Sequence, residues 1–117
     1  MTPDQVRSTY RRMIDAVGET IMIRRYTGTG TARPWFEVAV RARVTAYEQK
    51  DLVGTIQQGD RKIILLAEDL IERQFAMPVT ANDKAVVRGR ELQIVAPDDS
   101  TRRIAGVLIA YELQVRG

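Results

Sequence analysis

The sequence predicts an all-β (mainly β) protein, a small antiparallel β-barrel or sandwich of about six strands with one N-terminal α-helix in front. Three observations lead there. Apolar residues follow helical spacing only over residues 1–18, and period two takes over afterwards. Turn-forming glycine, proline, asparagine and aspartate separate the later apolar runs at short intervals. Consecutive antiparallel strands with short connections bury their apolar faces by closing into a barrel or by stacking as a sandwich. A chain of 117 residues fits a single domain, read here as 1–117 with the helix in 1–18 and the barrel over 20–117.

The helix comes first. Thr2 is a good N-cap, Pro3 suits the first helical position, and Gln5 stands where a capping box needs it. Val6, Tyr10, Met13, Ile14 and Val17 share one face, and Gly18 is a natural stop. This stripe must lie on the protein's own core or on a neighbouring subunit. A short strand follows at 21–26, and then a loop of Thr27, Gly28, Thr29, Gly30, Thr31, Ala32, Arg33 and Pro34, with no apolar anchor.

The clearest strand runs from Phe36 to Tyr47. Phe36, Val38, Val40, Ala42, Val44 and Ala46 form a core face, and Glu37, Ala39, Arg41, Arg43, Thr45 and Tyr47 form the other. A short strand is expected at 53–57. The strand at 61–67 carries Ile63, Ile64, Leu65 and Leu66 on both faces and should be central. One helical turn is expected near 68–74. A hairpin over 85–96 turns at Gly89, and Pro97 to Thr101 form a turn rich in local hydrogen-bonding groups. The last strand is expected over 104–115 without interruption.

Composition narrows the chemistry. With 44% hydrophobic and 28% charged residues the chain is an ordinary globular protein. No apolar run approaches the roughly 18 residues of a membrane span, so no membrane partner is expected, and no signal peptide is read. There is no cysteine, which excludes disulfides, thiolate catalysis and zinc–thiolate sites; a cytoplasmic setting is natural. There is no histidine, which removes the commonest general base and the commonest metal ligand.

Ser8 and Ser100 therefore have no imidazole to activate them. The carboxylate pairs Glu68–Asp69 and Asp98–Asp99 read as solvated or capping groups, with acid–base or divalent-metal chemistry at Glu68 and Asp69 as the weakest alternative. The Gly28-x-Gly30 pair lacks the third glycine, the following helix and the lysine of phosphate-binding loops. The chain is thus expected to be non-enzymatic, without catalytic residues, metal or cofactor.

The net charge of +3 is carried mostly by arginine, whose planar guanidinium suits carboxylates and phosphates. Arg41, Arg43 and Tyr47 form a basic, partly aromatic strand face. It is read as a solvated face, a protein contact, or the binding face of a nucleic-acid barrel. A small β-barrel nucleic-acid-binding protein is accordingly the alternative functional reading.

The run VGTIQQGDRKIILLA at 53–67, followed by Glu68, Asp69 and Leu70, resembles the head–tail joining proteins of tailed bacteriophages and prophages, also called head-closure, head-completion or neck proteins. The stretch IMIRRY at 21–26, leading through a Gly/Thr loop to an arginine-rich strand, agrees with that family, as does the ending AYELQVRG at 110–117. The resemblance thus covers the chain from Thr20 onward and leaves the helix outside it.

It implies a short β-barrel with an N-terminal extension. It also implies a structural virion protein that is a monomer when free and a ring, commonly a hexamer, when assembled between the portal-side adaptor and the tail. Assembly would take place in the bacterial host cytoplasm. The partners implied are other neck proteins on both sides, with non-specific contact to packaged DNA. The loop at 27–34 would face the DNA channel or a neighbouring ring, and is expected to be disordered in the free protein and ordered in the ring. No catalytic residue is carried over.

Overall fold

A computed structural model describes residues 1–30 and 33–117. Helix α1 spans Pro3–Val17. The Thr2 hydroxyl accepts from the Gln5 N–H, and the Thr2 N–H donates to Gln5 Oε1 at 2.8 Å, the reciprocal cap expected from the sequence. The helix stops at Gly18, where a Cβ would sit 2.4 Å from the Ile14 carbonyl and 2.8 Å from that of Ala42. Glycine is needed here because two backbones meet.

Among the described residues eight strands follow: β1 (Glu19–Tyr26), β2 (Trp35–Ala46), β3 (Arg61–Leu66), β4 (Lys84–Val87), β5 (Arg90–Asp98), β6 (Arg103–Ile104), β7 (Val107–Leu108) and β8 (Ala110–Arg116). Six of them close into an antiparallel barrel in the order β1-β2-β3-β8-β5-β4, with β4 returning to β1. Closure gives each of those six strands a neighbour on both sides along the barrel, which limits the template for strand addition there, while Trp35–Arg41 of β2 extends beyond its register with β3.

Alternation then decides what is inside. Ile21 stands opposite Val40, Ala42 opposite Leu65, Ile63 opposite Leu113, Ile94 opposite Val115, and Ala85 opposite Leu92. All ten are buried and form the barrel core. The apolar outer face of β3 has a separate use. Leu66 joins Ile109 and Ile14 in a second buried cluster, against which Val6, Tyr10, Met13 and Ile104 pack. Helix α1 therefore lays its stripe on its own barrel. It is also clamped by charge: the Arg11 guanidinium reaches Asp69 and Glu68, each at 2.6 Å, on the short helix α2 (Ala67–Glu72).

Three sequence expectations fail. Pro97 and Asp98, expected in a turn, extend β5 and stand opposite Leu113 and Glu112. Residues 53–57 form no strand but a series of turns closed by Val53 N–H to the Asp51 carbonyl and Ile56 N–H to the Val53 carbonyl. Gly54 and Gly59 hold φ of 62° and 96° and break the extended backbone. The last strand is also interrupted. Ala105 and Gly106, at φ 50° and 81°, make a tight turn between β6 and β7, so that Ile104 leaves the barrel for the α1 cluster and only β8 continues.

The turn segment at 52–60 is held to the barrel by Asp60. This buried carboxylate accepts from Arg116 Nε at 2.8 Å, Gln114 Nε2 at 2.9 Å and the Gln57 N–H at 3.0 Å. The hydrogen-bonded Arg116 first, then the Gln57 amide and Gln114, outweigh burial and hold the carboxyl well below the ordinary aspartate range. A depressed carboxylate stabilises the fold above the unfolded-chain value of about 3.9, and that contribution is lost as pH falls below it. Asp60→Asn is therefore expected to be less stable than the wild type at neutral pH, with the gap closing as pH falls from about 4. Urea unfolding across that range checks it, and a gap independent of pH would contradict the assignment.

Candidate functional site

The β1–β2 hairpin projects from one end of the barrel. Its last register pair is Tyr26 opposite Trp35. The Thr27 N–H donates to the Pro34 carbonyl at 2.8 Å and ties the two ends of the predicted loop together. Thr27, Gly28, Thr29, Gly30 and Pro34 are exposed, and Arg33 is half-buried. Thr31 and Ala32, which that loop reading also included, lie outside the described residues.

Alternation places Trp35 on the outer row with Glu37, and Trp35 is 48% exposed. The Arg24 guanidinium lies 4.0 Å from the centre of its ring, and Arg33 stacks 4.5 Å over the Tyr26 ring. Arg24 is itself positioned by Glu37 at 3.0 Å and Glu91 at 2.9 Å. The Tyr26 hydroxyl also donates to Glu91, and this bond, with Arg24, lowers the Glu91 carboxyl. The result is an outer patch of two aromatics between two arginines, with the Arg24 charge balanced by Glu37 and Glu91.

Phe36 belongs to the inner row but stands beyond the barrel rim, 41% exposed and 5.8 Å from Phe75. Phe75 belongs to the segment at 73–83 that fills this mouth. Arg25 fastens the segment: its guanidinium donates twice to Asp83 at 2.8 Å and also to the carbonyls of Ala76 and Pro78. From inside, the Tyr111 hydroxyl accepts the Val79 N–H at 3.3 Å.

The predicted basic face is only partly free. Arg41 donates to the Gly18 carbonyl at 3.0 Å and to that of Asp15 at 3.5 Å, at the C-terminal end of α1. It answers the free carbonyls and negative dipole end of the helix. Lys62 lies 5.6 Å from the centre of the Tyr47 ring. Burial first, then the carboxylates of Glu112, Asp60 and Asp51, push the Tyr47 phenol up to about 12. Arg43 is half-buried on the outer row.

The other candidates have structural work. Glu68 and Asp69 receive Arg11, and Glu68 also lies 3.4 Å from Arg7. Asp98 accepts from the Thr101 hydroxyl and from the Ser100 and Thr101 N–H groups, which lower its pKa. Ser100 donates to its neighbour Asp99, and Ser8 sits exposed on α1. Among the described residues no group of three acidic side chains converges in a way that could hold a metal ion.

Sequence reasoning passed over Trp35, Tyr26 and Arg24. A usable signal existed, because residue 35 has the outward parity of Glu37, and an aromatic on an outward row is the informative exception. No family model matches this chain. No curated protein matches it significantly either.

Proposed function

We propose that this chain is a structural subunit of the neck of a tailed bacteriophage or prophage, joining head to tail as one member of a ring. The observation that carries the proposal is the hairpin end, where exposed Trp35 and Phe36 stand beside Arg24 and Arg33 on a closed barrel. Tryptophan and arginine are the residues that dominate protein interfaces. Along its closed part the barrel offers a partner no free strand edge, so exposed side chains such as these are what it presents. The stretches at 21–26, 53–70 and 110–117 that resemble neck proteins support the same reading.

In this account the free chain is a monomer. The hairpin end meets the next ring subunit or the adjoining neck component, and the loop at 27–34 lies toward packaged DNA. Arg33 would add a weak, salt-sensitive phosphate contact there. The nucleic-acid alternative is less favoured, because Arg41 is committed to the end of α1 and Tyr47 is covered by Lys62.

Particles from a strain lacking the gene test the reading. Unjoined heads and tails are expected, and normal joined particles would end it. Complementation with Trp35→Ala sharpens the test. The exposed ring contributes little to folding, so thermal stability should change by less than about 1 kcal/mol. Each subunit contact should weaken by about 2 kcal/mol or more, so few particles should be joined.

A further inference from the structure

The two mouths of the barrel differ. One is filled by the segment at 73–83. The opposite mouth opens into a cavity of about 430 Å³ with an aliphatic floor that includes Val87 and Leu92. Four arginines line it, Arg61, Arg88, Arg90 and Arg116, drawn from β3, the β4–β5 turn, β5 and β8.

Two of these continue inward-facing rows. Arg61 precedes Ile63 and Leu65, and Arg90 precedes Leu92 and Ile94, each by the two-residue step that keeps a side chain on the same face. Their charges are thereby brought to the rim of the apolar core. Arg88 is balanced by Glu19 at 2.6 Å and Arg116 by Asp60 at 2.8 Å. Among the described residues, Arg61 and Arg90 have no carboxylate partner, and both are exposed.

We propose that this mouth is a docking socket for a short acidic, aliphatic peptide segment of a partner protein. Carboxylates of the segment pair with Arg61 and Arg90, and an aliphatic side chain rests over Val87 and Leu92. Charge complementarity argues for it, since two unpaired guanidiniums at the rim of one cavity are matched by planar carboxylates. A peptide fits better than a nucleic acid. The lining contains no aromatic ring for base stacking, and its floor is aliphatic. The socket lies at the end of the barrel away from Trp35, and its occupancy does not depend on the ring reading.

The test is an NMR titration of the labelled full chain, at low salt, with a capped peptide of alternating glutamate and leucine. The controls are the glutamine–leucine analogue and a short duplex DNA. The expected result is saturable shifts at residues 61, 88–92 and 115–117, with at least tenfold weaker binding of the glutamine analogue. Arg61→Glu with Arg90→Glu should abolish the shifts, and the milder Arg61→Gln with Arg90→Gln should weaken binding about tenfold. Trp35→Ala should leave peptide affinity unchanged. Equal binding of the two peptides would overturn the proposal, as would DNA shifting the same residues at lower concentration.

Discussion

Asp83→Ala should destabilise the protein by about 3–5 kcal/mol, the largest effect expected from any single polar change. Its side chain is only 2% exposed, and the partner Arg25 side chain 22%. Two parallel bonds of 2.8 Å join them, and Asp83 also accepts the Thr80 N–H at 2.9 Å. Truncation leaves a largely buried guanidinium with two carbonyls and the Phe75 ring but no anion to face, and releases the turn that shapes the mouth-filling segment. The cost comes mainly from the stranded partner, so Arg25→Ala with Asp83→Ala should cost clearly less than the sum of the two single changes. Urea unfolding of the four proteins measures the coupling, and strict additivity would contradict the clamp.

Leu65→Ala should cost about 4 kcal/mol and lower the melting temperature by roughly 15 °C. Leu65 is fully buried on the inner row of β3, opposite Ala42 on one side and Tyr111 on the other. The barrel is closed, so neither neighbouring strand can move in to fill the void without breaking its own ladder. Ile71→Ala on α2, where the side chain is 62% exposed, is the control and should change stability by less than about 0.5 kcal/mol. Calorimetric melting of both variants checks the contrast. Similar losses in both would show that the core has been placed on the wrong face of β3.

These two sites differ in how far they could be read from the amino-acid order. Period two over 36–46 separates core from surface because neighbouring side chains on a strand point to opposite faces, and that rule places Val40 and Ala42 correctly. The apolar run Ile63–Leu66 is legible as a strand covered on both sides. That its outer cover is α1 was one of two options left open by the helical stripe.

The Arg25–Asp83 clamp was not legible, since its members lie 58 residues apart and meet only after the barrel closes. The same holds for the arginine-lined mouth, which gathers residues from four parts of the chain. The errors at 53–57 and 105–106 have a local cause. Gly54, Gly59 and Gly106 adopt positive φ, and the apolar alternation around them was given more weight than the glycines. At the hairpin end the outward parity that residue 35 shares with Glu37 is the signal that marks Trp35 as exposed.

The proposed role is that of a neck ring subunit that makes contact through its hairpin end. A cryo-electron microscopy reconstruction of the head–tail junction of the parent particle tests it most directly. The account predicts a ring of these barrels between the portal-side adaptor and the tail, with Trp35 and Phe36 of each copy buried against a neighbouring subunit or neck component. A junction accounted for completely by other proteins would contradict it, and so would a ring in which the hairpin end faces solvent.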